Sequence, residues 1–328
     1  MEMKHGGNVW MGTGPEQWLD FSANLRPEGP PPWVRETLRE ALSRARYYPD
    51  PDMAGARAGL AEYAGLAPDC ILPMPGGTAA IELALSLRRG RVLLERPTFG
   101  EYAARARALG RACPDRIDEC HPGDTRLIGN PNNPDGRTRS RAEVLELHEK
   151  VRDCGGELVV DEAFIDYCPE SSVRDRVCPD LTVVGSLTKA LCIPGIRLGY
   201  ICASPQNIAE LEKRVRPWHV NALALAVAEN LPGHLEELRR DAAENEKRRQ
   251  WLSRALEKEG VRTLPSLANF LLCDFGHSMA EAVQALREQG ILVRTCESFG
   301  LGASWLRLAV RTREENEHLM EALKACPK

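Results

Sequence analysis

At 328 residues the chain is longer than one small core needs, which predicts two domains, one large and one small. Hydrophobic residues make up 43% and charged residues 27%, and the net charge of −4 leaves no basic footprint for nucleic acid or an anionic membrane surface. No run reaches the apolar length of a membrane span, the start is polar, and eleven scattered cysteines without a CxxC indicate neither a disulfide framework nor a metal site, so a reducing cytoplasm is expected.

The first thirty residues lack helical periodicity. They carry His5-Gly6-Gly7-Asn8, then Asp20-Phe21-Ser22-Ala23-Asn24, then a Gly-Pro run. Two readings are open: a frayed, turn-rich terminus, or an arm across the body that offers His5, Asn8 and Asn24 to a polar ligand. Pro32 is placed to start a helix over 33–45, with Val34, Leu38, Ala41 and Leu42 on one face. Tyr47-Tyr48-Pro49 belongs to an extended, proline-stiffened loop, and a second helix follows over 54–64. At Gly76-Gly77-Thr78 a glycine turn leads into an apolar helix, whose first N–H groups suit a phosphate. Val92-Leu93-Leu94 reads as a short buried strand, and 99–109 as a helix.

Strand and helix signals then alternate. A strand over 126–129 runs into the turn-rich Asn130-Pro131-Asn132-Asn133-Pro134-Asp135-Gly136. Ser140 and Glu143 make a capping box for a helix ending near Asp153. One strand ends in Asp161, and another over 181–184 leads to Ser186-Leu187-Thr188-Lys189. This rhythm predicts an α/β fold with a mostly parallel sheet, functional loops lying beyond the carboxyl ends of the strands. Helices are expected over 206–215 and 222–230, then a long charged one over 233–259 with Leu235, Leu238, Ala242, Trp251, Leu252 and Leu256 inward. Strands over 269–273, 291–294 and 305–310, a helix over 279–288 and a last helix capped by Thr312 and Glu315 complete an α+β domain. The expected division is an arm over 1–30, a large domain over 31–220 and a small one over 221–328 joined through the long helix.

A lysine such as Lys189 bonds an aldehyde, and Ser186, Thr188 and Arg197 are groups that hold a phosphate beside it. A carboxylate at Asp161 is placed to pair with a pyridine nitrogen, making the ring an electron sink. Taken singly, each has a plainer reading: a surface lysine, a cap or salt-bridge carboxylate, a common glycine turn.

In order along the chain, Gly76-Gly77-Thr78, Asn133, Asp161, Lys189 and Arg197 resemble the fold-type-I pyridoxal-phosphate (PLP) enzymes, the aminotransferase superfamily. The resemblance covers nearly the whole chain, and Ser186-Leu187-Thr188-Lys189 with the trailing Pro194-Gly195-Ile196-Arg197-Leu198-Gly199-Tyr200 carries it most specifically. It implies PLP as cofactor, with Lys189 bonded to its aldehyde, Asp161 at the ring nitrogen and Asn133 at the 3-oxygen. Gly77, Thr78, Ser186, Thr188 and Arg197 would bind its phosphate, and Phe99 would stack on the ring. Tyr48 would reach into the partner's site, which implies a homodimer, and Arg307 would grip the substrate α-carboxylate. Within the superfamily the chain most resembles the histidinol-phosphate aminotransferase branch. Within it the arm, Asp161-Glu162-Ala163-Phe164-Ile165-Asp166-Tyr167, and Pro217-Trp218 with Val220-Asn221-Ala222 are similar to the threonine-phosphate decarboxylases of cobalamin biosynthesis. That resemblance implies decarboxylation of O-phospho-L-threonine to (R)-1-amino-2-propanol O-phosphate, with His5, Asn8 and Asn24 as substrate-binding residues. An aminotransferase of phosphorylated substrates, an O-phosphoserine decarboxylase and a non-catalytic PLP-fold module are the alternatives. Asp135 and Pro75 depart from the family pattern.

Overall fold

In the computed structural model, residues 6–11, 14–114 and 119–326 are described; His5 lies outside them. The chain enters through strand β1 (Leu19–Asp20) and helix α1 (Pro32–Ala41), which Pro32 opens because its missing N–H costs nothing in a first turn. Helix α2 (Ala54–Ala64) ends on Gly65 in the left-handed conformation. Strand β2 (Ile71–Met74), helix α3 (Gly77–Leu85), strand β3 (Val92–Leu94), helix α4 (Gly100–Ala108) and strand β4 (Thr125–Gly129) follow. Helix α5 (Arg141–Asp153) starts on the Ser140–Glu143 capping box, both halves of which are made. Strands β5 (Glu157–Asp161), β6 (Leu181–Ser186) and β7 (Gly199–Cys202) complete a six-stranded sheet in the order β2-β7-β6-β5-β4-β3.

Strands β3 to β6 pair in parallel, and β7 runs antiparallel between β6 and β2. The carboxyl ends of β2, β4, β5 and β6 therefore share one edge with the start of β7. Gly76, Asn130, Asp161, Ser186 and Gly199 meet there. The strands β5 and β6 are buried along their whole length, as expected of a sheet covered on both faces.

Helices α6 (Pro205–Glu212) and α7 (Ala222–Asn230) precede the long α8 (Leu235–Lys258). Strand β8 (Arg262–Thr263), strand β9 (Phe270–Asp274), helix α9 (Ala280–Glu288), strands β10 (Ile291–Leu292), β11 (Arg294–Thr295) and β12 (Trp305–Ala309), and helix α10 (Arg313–Ala325) build the second unit. Its four-stranded sheet has the order β11-β12-β9-β8.

Three expectations need correction. The single strand over 291–294 is two, because the arm competes for it. Leu19 and Phe21 N–H groups donate to Gly290 O and Leu292 O at 2.8 and 2.7 Å, so β10 pairs in parallel with β1 while β11 turns to β12. The arm is thus tied down from Leu19 onward, with Phe21 fully buried in the second core. The division at 220 also moves: Ala224, Leu225, Val227 and Ala228 of α7 bury against the first core, and so does Leu238 early in α8. The change of core falls within α8, where Leu252 and Leu256 join the second. Finally, α8 turns Asn245 and Arg249 inward. Arg249 Nη1 donates to Leu267 O at 3.0 Å, replacing with protein the water those polar groups lose. Trp251 instead lies half-buried under the Arg313 guanidinium, 3.9 Å from its ring centroid.

Candidate active site

At the shared strand edge, Lys189 follows β6 in a tight turn. Burial, reinforced by the nearby Arg307 and Arg197 guanidinium groups, lowers its amine to a pKa of about 8 against the pull of Asp161. Asp161, at the end of β5, is buried, and its carboxyl is pushed up to about 6 mainly by desolvation. Tyr102 Oη donates to its Oδ2 at 2.7 Å and Ala163 N–H to its Oδ1 at 3.0 Å. These two bonds orient the carboxylate without neutralising it.

Beside Lys189 is a cradle for an anion. The Ser186 and Thr188 hydroxyls touch at 2.8 Å. A Cβ on Gly76, whose φ is +92°, would stand 2.6 Å from Arg197 Nη2, and one on Gly77 would stand 3.2 Å from Ser186 Cβ. Only glycine lets the backbone come this near. The amides of Gly77 and Thr78 open α3 here, unbonded within their own helix. Phe99, the residue before α4, meets Tyr102 edge-on with ring centroids 5.6 Å apart, which places it in the same cluster as Asp161.

The second unit closes the site. Arg307, buried on β12, donates from Nη1 to Asn133 Oδ1 at 2.6 Å and from Nη2 to Ser22 O at 2.7 Å. It therefore ties the large sheet, the arm and the small sheet together. Asn133 is left with its Nδ2 to donate. The Phe270 ring lies under Arg307 at 5.5 Å and meets Phe164 edge-on at 5.1 Å. Burial, then the like charge of Arg294, lowers Arg307 to about 10. Arg26 N–H donates to Lys189 O at 3.3 Å, laying the arm over the lysine turn. Among the described residues, the buried Asn24 Oδ1 and Arg307 Nε have no hydrogen-bond partner. Orphaned buried polar atoms are costly, and two of them at one site mark a place for a polar ligand.

The structure thus brings together Lys189, Asp161, Asn133, Ser186, Thr188, Arg197, Gly77, Thr78, Phe99, Asn24 and Arg307. It does not bring in Asn8, whose amide is turned onto the Met11 sulfur at 3.6 Å, although Gly7 N–H reaches Ser22 Oγ at 2.8 Å. Tyr48 stands 79% exposed, stacked on Trp218 at 4.5 Å, outside its own chain's site. Sequence reasoning missed Tyr102 and Arg294. Tyr102 is one helical turn beyond Phe99, a spacing that could have flagged it. Arg294 pairs with Arg307 across β11 and β12, a register that no local pattern reveals.

The aminotransferase class I and II family profile matches residues 16–323. The chain belongs to that family. It is accordingly a PLP-dependent enzyme, and the residues present fit the cofactor: a lysine with a lowered pKa, a carboxylate lacking a full counter-charge, and an anion cradle. It is 30% identical to threonine-phosphate decarboxylase of Salmonella typhimurium, over 98% of this chain and 95% of that one. Histidinol-phosphate aminotransferase 1 of Haemophilus influenzae is also 30% identical, over 84% of this chain and 85% of its own. Among solved structures, L-threonine-O-3-phosphate decarboxylase from Porphyromonas gingivalis superposes with a TM-score of 0.85 at 28% identity, covering 93% of this chain and 98% of that one. No helix among the described residues is long and apolar enough to cross a membrane.

Proposed function

We propose that the protein decarboxylates O-phospho-L-threonine to (R)-1-amino-2-propanol O-phosphate, a step of cobalamin biosynthesis. The observation that carries this reading is the likeness to threonine-phosphate decarboxylase along 98% of the chain, the arm included. The site supports it physically. A substrate with both a carboxylate and a phosphate is matched by the two neighbouring buried guanidinium groups of Arg294 and Arg307.

Arg307, held from two sides, orients the α-carboxylate, and a bidentate grip fixes the direction of the Cα–carboxylate bond. PLP, when bound, supplies the electron sink for the pair released as that bond breaks. Asp161, aimed by Tyr102 and the Ala163 amide, would offer its negative charge to the ring nitrogen. Ser186, Thr188, Arg197 and the amides of Gly77 and Thr78 would hold the cofactor phosphate, Phe99 would cover the ring, and Asn133 Nδ2, left free to donate, would serve its 3-oxygen. Lys189 Nζ, neutral in a large fraction of molecules near its pKa of about 8, would be the group that holds the cofactor through its aldehyde, and it is placed to hand a proton to the substrate Cα. Asn24 Oδ1, with His5, bonds the substrate phosphate end through a protonated oxygen or a bridging water. Tyr48 completes the site of a second copy in a homodimer.

The test incubates PLP-loaded protein with O-phospho-L-threonine, with and without 2-oxoglutarate, and follows CO2 and glutamate. CO2 release independent of the keto acid is expected. Glutamate without CO2 would overturn the reading in favour of a histidinol-phosphate-type aminotransferase, the activity carried by the name of the Haemophilus relative.

A further inference from the structure

At the opposite end of the large sheet, three chemically different ligands converge. His148 lies on the inner face of α5, buried beside Val144 and Val151. Cys178 and Asp180 belong to the loop entering β6. That loop is well held: Cys178 and Leu181 exchange backbone hydrogen bonds, Leu158 N–H donates to Asp180 O at 2.9 Å, and Arg88 and Asn207 both donate to Pro179 O. His148 Nε2 stands 3.7 Å from Cys178 Sγ and 3.3 Å from Asp180 Oδ1, and Cys178 Sγ stands 2.9 Å from the same carboxylate oxygen.

Two explanations compete. A Cys-His-Asp relay needs the thiol and the carboxylate on different ring nitrogens, so that one hands its proton through the ring. Here both face Nε2. Burial and the adjoining Asp180 also push the thiol up, the wrong direction for a nucleophile. A shared metal ion requires the reverse, all donors turned to one point. Bonds of about 2.3 Å to sulfur and about 2.0–2.2 Å to nitrogen and oxygen give tetrahedral edges of about 3.3–3.6 Å. The N···O and S···N separations already match. The shorter S···O separation is the thiol hydrogen bond, which is lost when the thiol proton leaves.

We propose that His148 Nε2, Cys178 Sγ and one Asp180 carboxylate oxygen bind a single divalent transition-metal ion of the zinc class, with water as the fourth ligand. A mixed S, N, O set selects such a borderline ion over calcium or magnesium, which take oxygen. No electrons move on binding. The Cys178 S–H proton passes to solvent as the sulfur–metal bond forms, and His148 binds through Nε2, which leaves Nδ1 to carry the ring proton. The ion staples α5 to the entry of β6. It lies a full strand length, about 17–20 Å, from Lys189, and so has no part in the reaction.

The test uses the full PLP-loaded chain, reduced and freed of metal by chelator, with Co2+ as the probe because its visible bands lie clear of the cofactor. One Co2+ per chain is expected, with the intense bands of a tetrahedral thiolate site, displaced by Zn2+. In Cys178→Ser and His148→Gln the affinity falls by more than about a hundredfold, since losing even a supporting partner costs ten- to a hundredfold. Cys154→Ala, which removes an exposed thiol near Cys120, leaves it unchanged. Absorbance of the lysine-bound cofactor reports that each variant has folded. On the unmutated chain, Zn2+ should slow alkylation of Cys178 and spare that of Cys154, read by peptide mass spectrometry. No stoichiometric Co2+, undiminished binding in both ligand variants, or equal alkylation of Cys178 with and without Zn2+ overturns the proposal.

Discussion

Asp161 carries a charge that the protein alone does not balance, and its environment states what should balance it. The carboxyl is raised from an ordinary value of 3.8 to about 6, a difference of about 3 kcal/mol. A raised folded-state value means that the stability present below the unfolded value is lost as pH climbs through the folded one. In cofactor-free protein, Asp161→Asn should therefore match the parent near pH 4 and exceed it by about 1–3 kcal/mol above pH 6, as measured by urea unfolding across that range. The same variant should lose activity when loaded with PLP. A gap that stays flat with pH would mean that Asp161 is not the uncompensated group. At this scale the sequence was highly legible: Lys189, Asp161, Arg197 and the glycine pair stand out because their chemistry leaves few substitutes. Tyr102 and Arg294 did not stand out, because a tyrosine on a helix and an arginine in an apolar strand are ordinary until a fold gives them neighbours.

Helices α2 and α7 pack so closely that a Cβ on Gly59 would stand 2.2 Å from Ala228 O, a backbone atom with no room to give. Gly59→Ala should destabilise the protein by about 1–3 kcal/mol. Gly100→Ala, at the first turn of α4 with nothing within 4 Å, should be neutral or stabilise by about 0.4–1 kcal/mol. Denaturant midpoints compare the two, and equal effects would place the cost in the backbone rather than in the contact. Helices with capping boxes were readable to within a residue or two: α5 and α10 begin where Ser140 with Glu143 and Thr312 with Glu315 put them. The strand over 291–294 failed for a physical reason. A strand's partner is chosen by tertiary approach, and the arm arrives from nearly the whole chain length away to divide it. The arm itself is held a second time by Arg26, which bonds Asp241 on α8 at 2.8 and 3.3 Å, while Arg248 on α8 pairs with Glu28 at 2.6 Å.

In the single chain, Leu42, Tyr47 and Tyr48 stand 61–79% exposed close together in sequence, and Trp218 stacks on Tyr48. Such an apolar group marks an interaction surface. The proposed homodimer gives it a cover. Leu42→Glu, outside the site, should weaken self-association about ten- to a hundredfold, from the 1.5–3 kcal/mol a buried leucine contributes, and activity should fall with dimer content. Sedimentation velocity and assays at matched dilutions check this. A parent protein that stays monomeric would remove both the dimer and the shared role of Tyr48.

By itself, the sequence determined the α/β class and the family and proposed a reactive set, because strand alternation, capping boxes and the Ser-x-x-Lys…Arg spacing are local patterns. Only the tertiary structure decided that Arg307 locks onto Asn133 and Ser22, that Arg294 stands beside it, and that α7 belongs to the first core. It also turned Asn8 away from the site and gathered His148, Cys178 and Asp180 at the far edge, where the sequence had indicated no metal. Those outcomes depend on groups distant in the chain meeting at a few ångströms, and a one-dimensional pattern holds no record of which distant groups will meet.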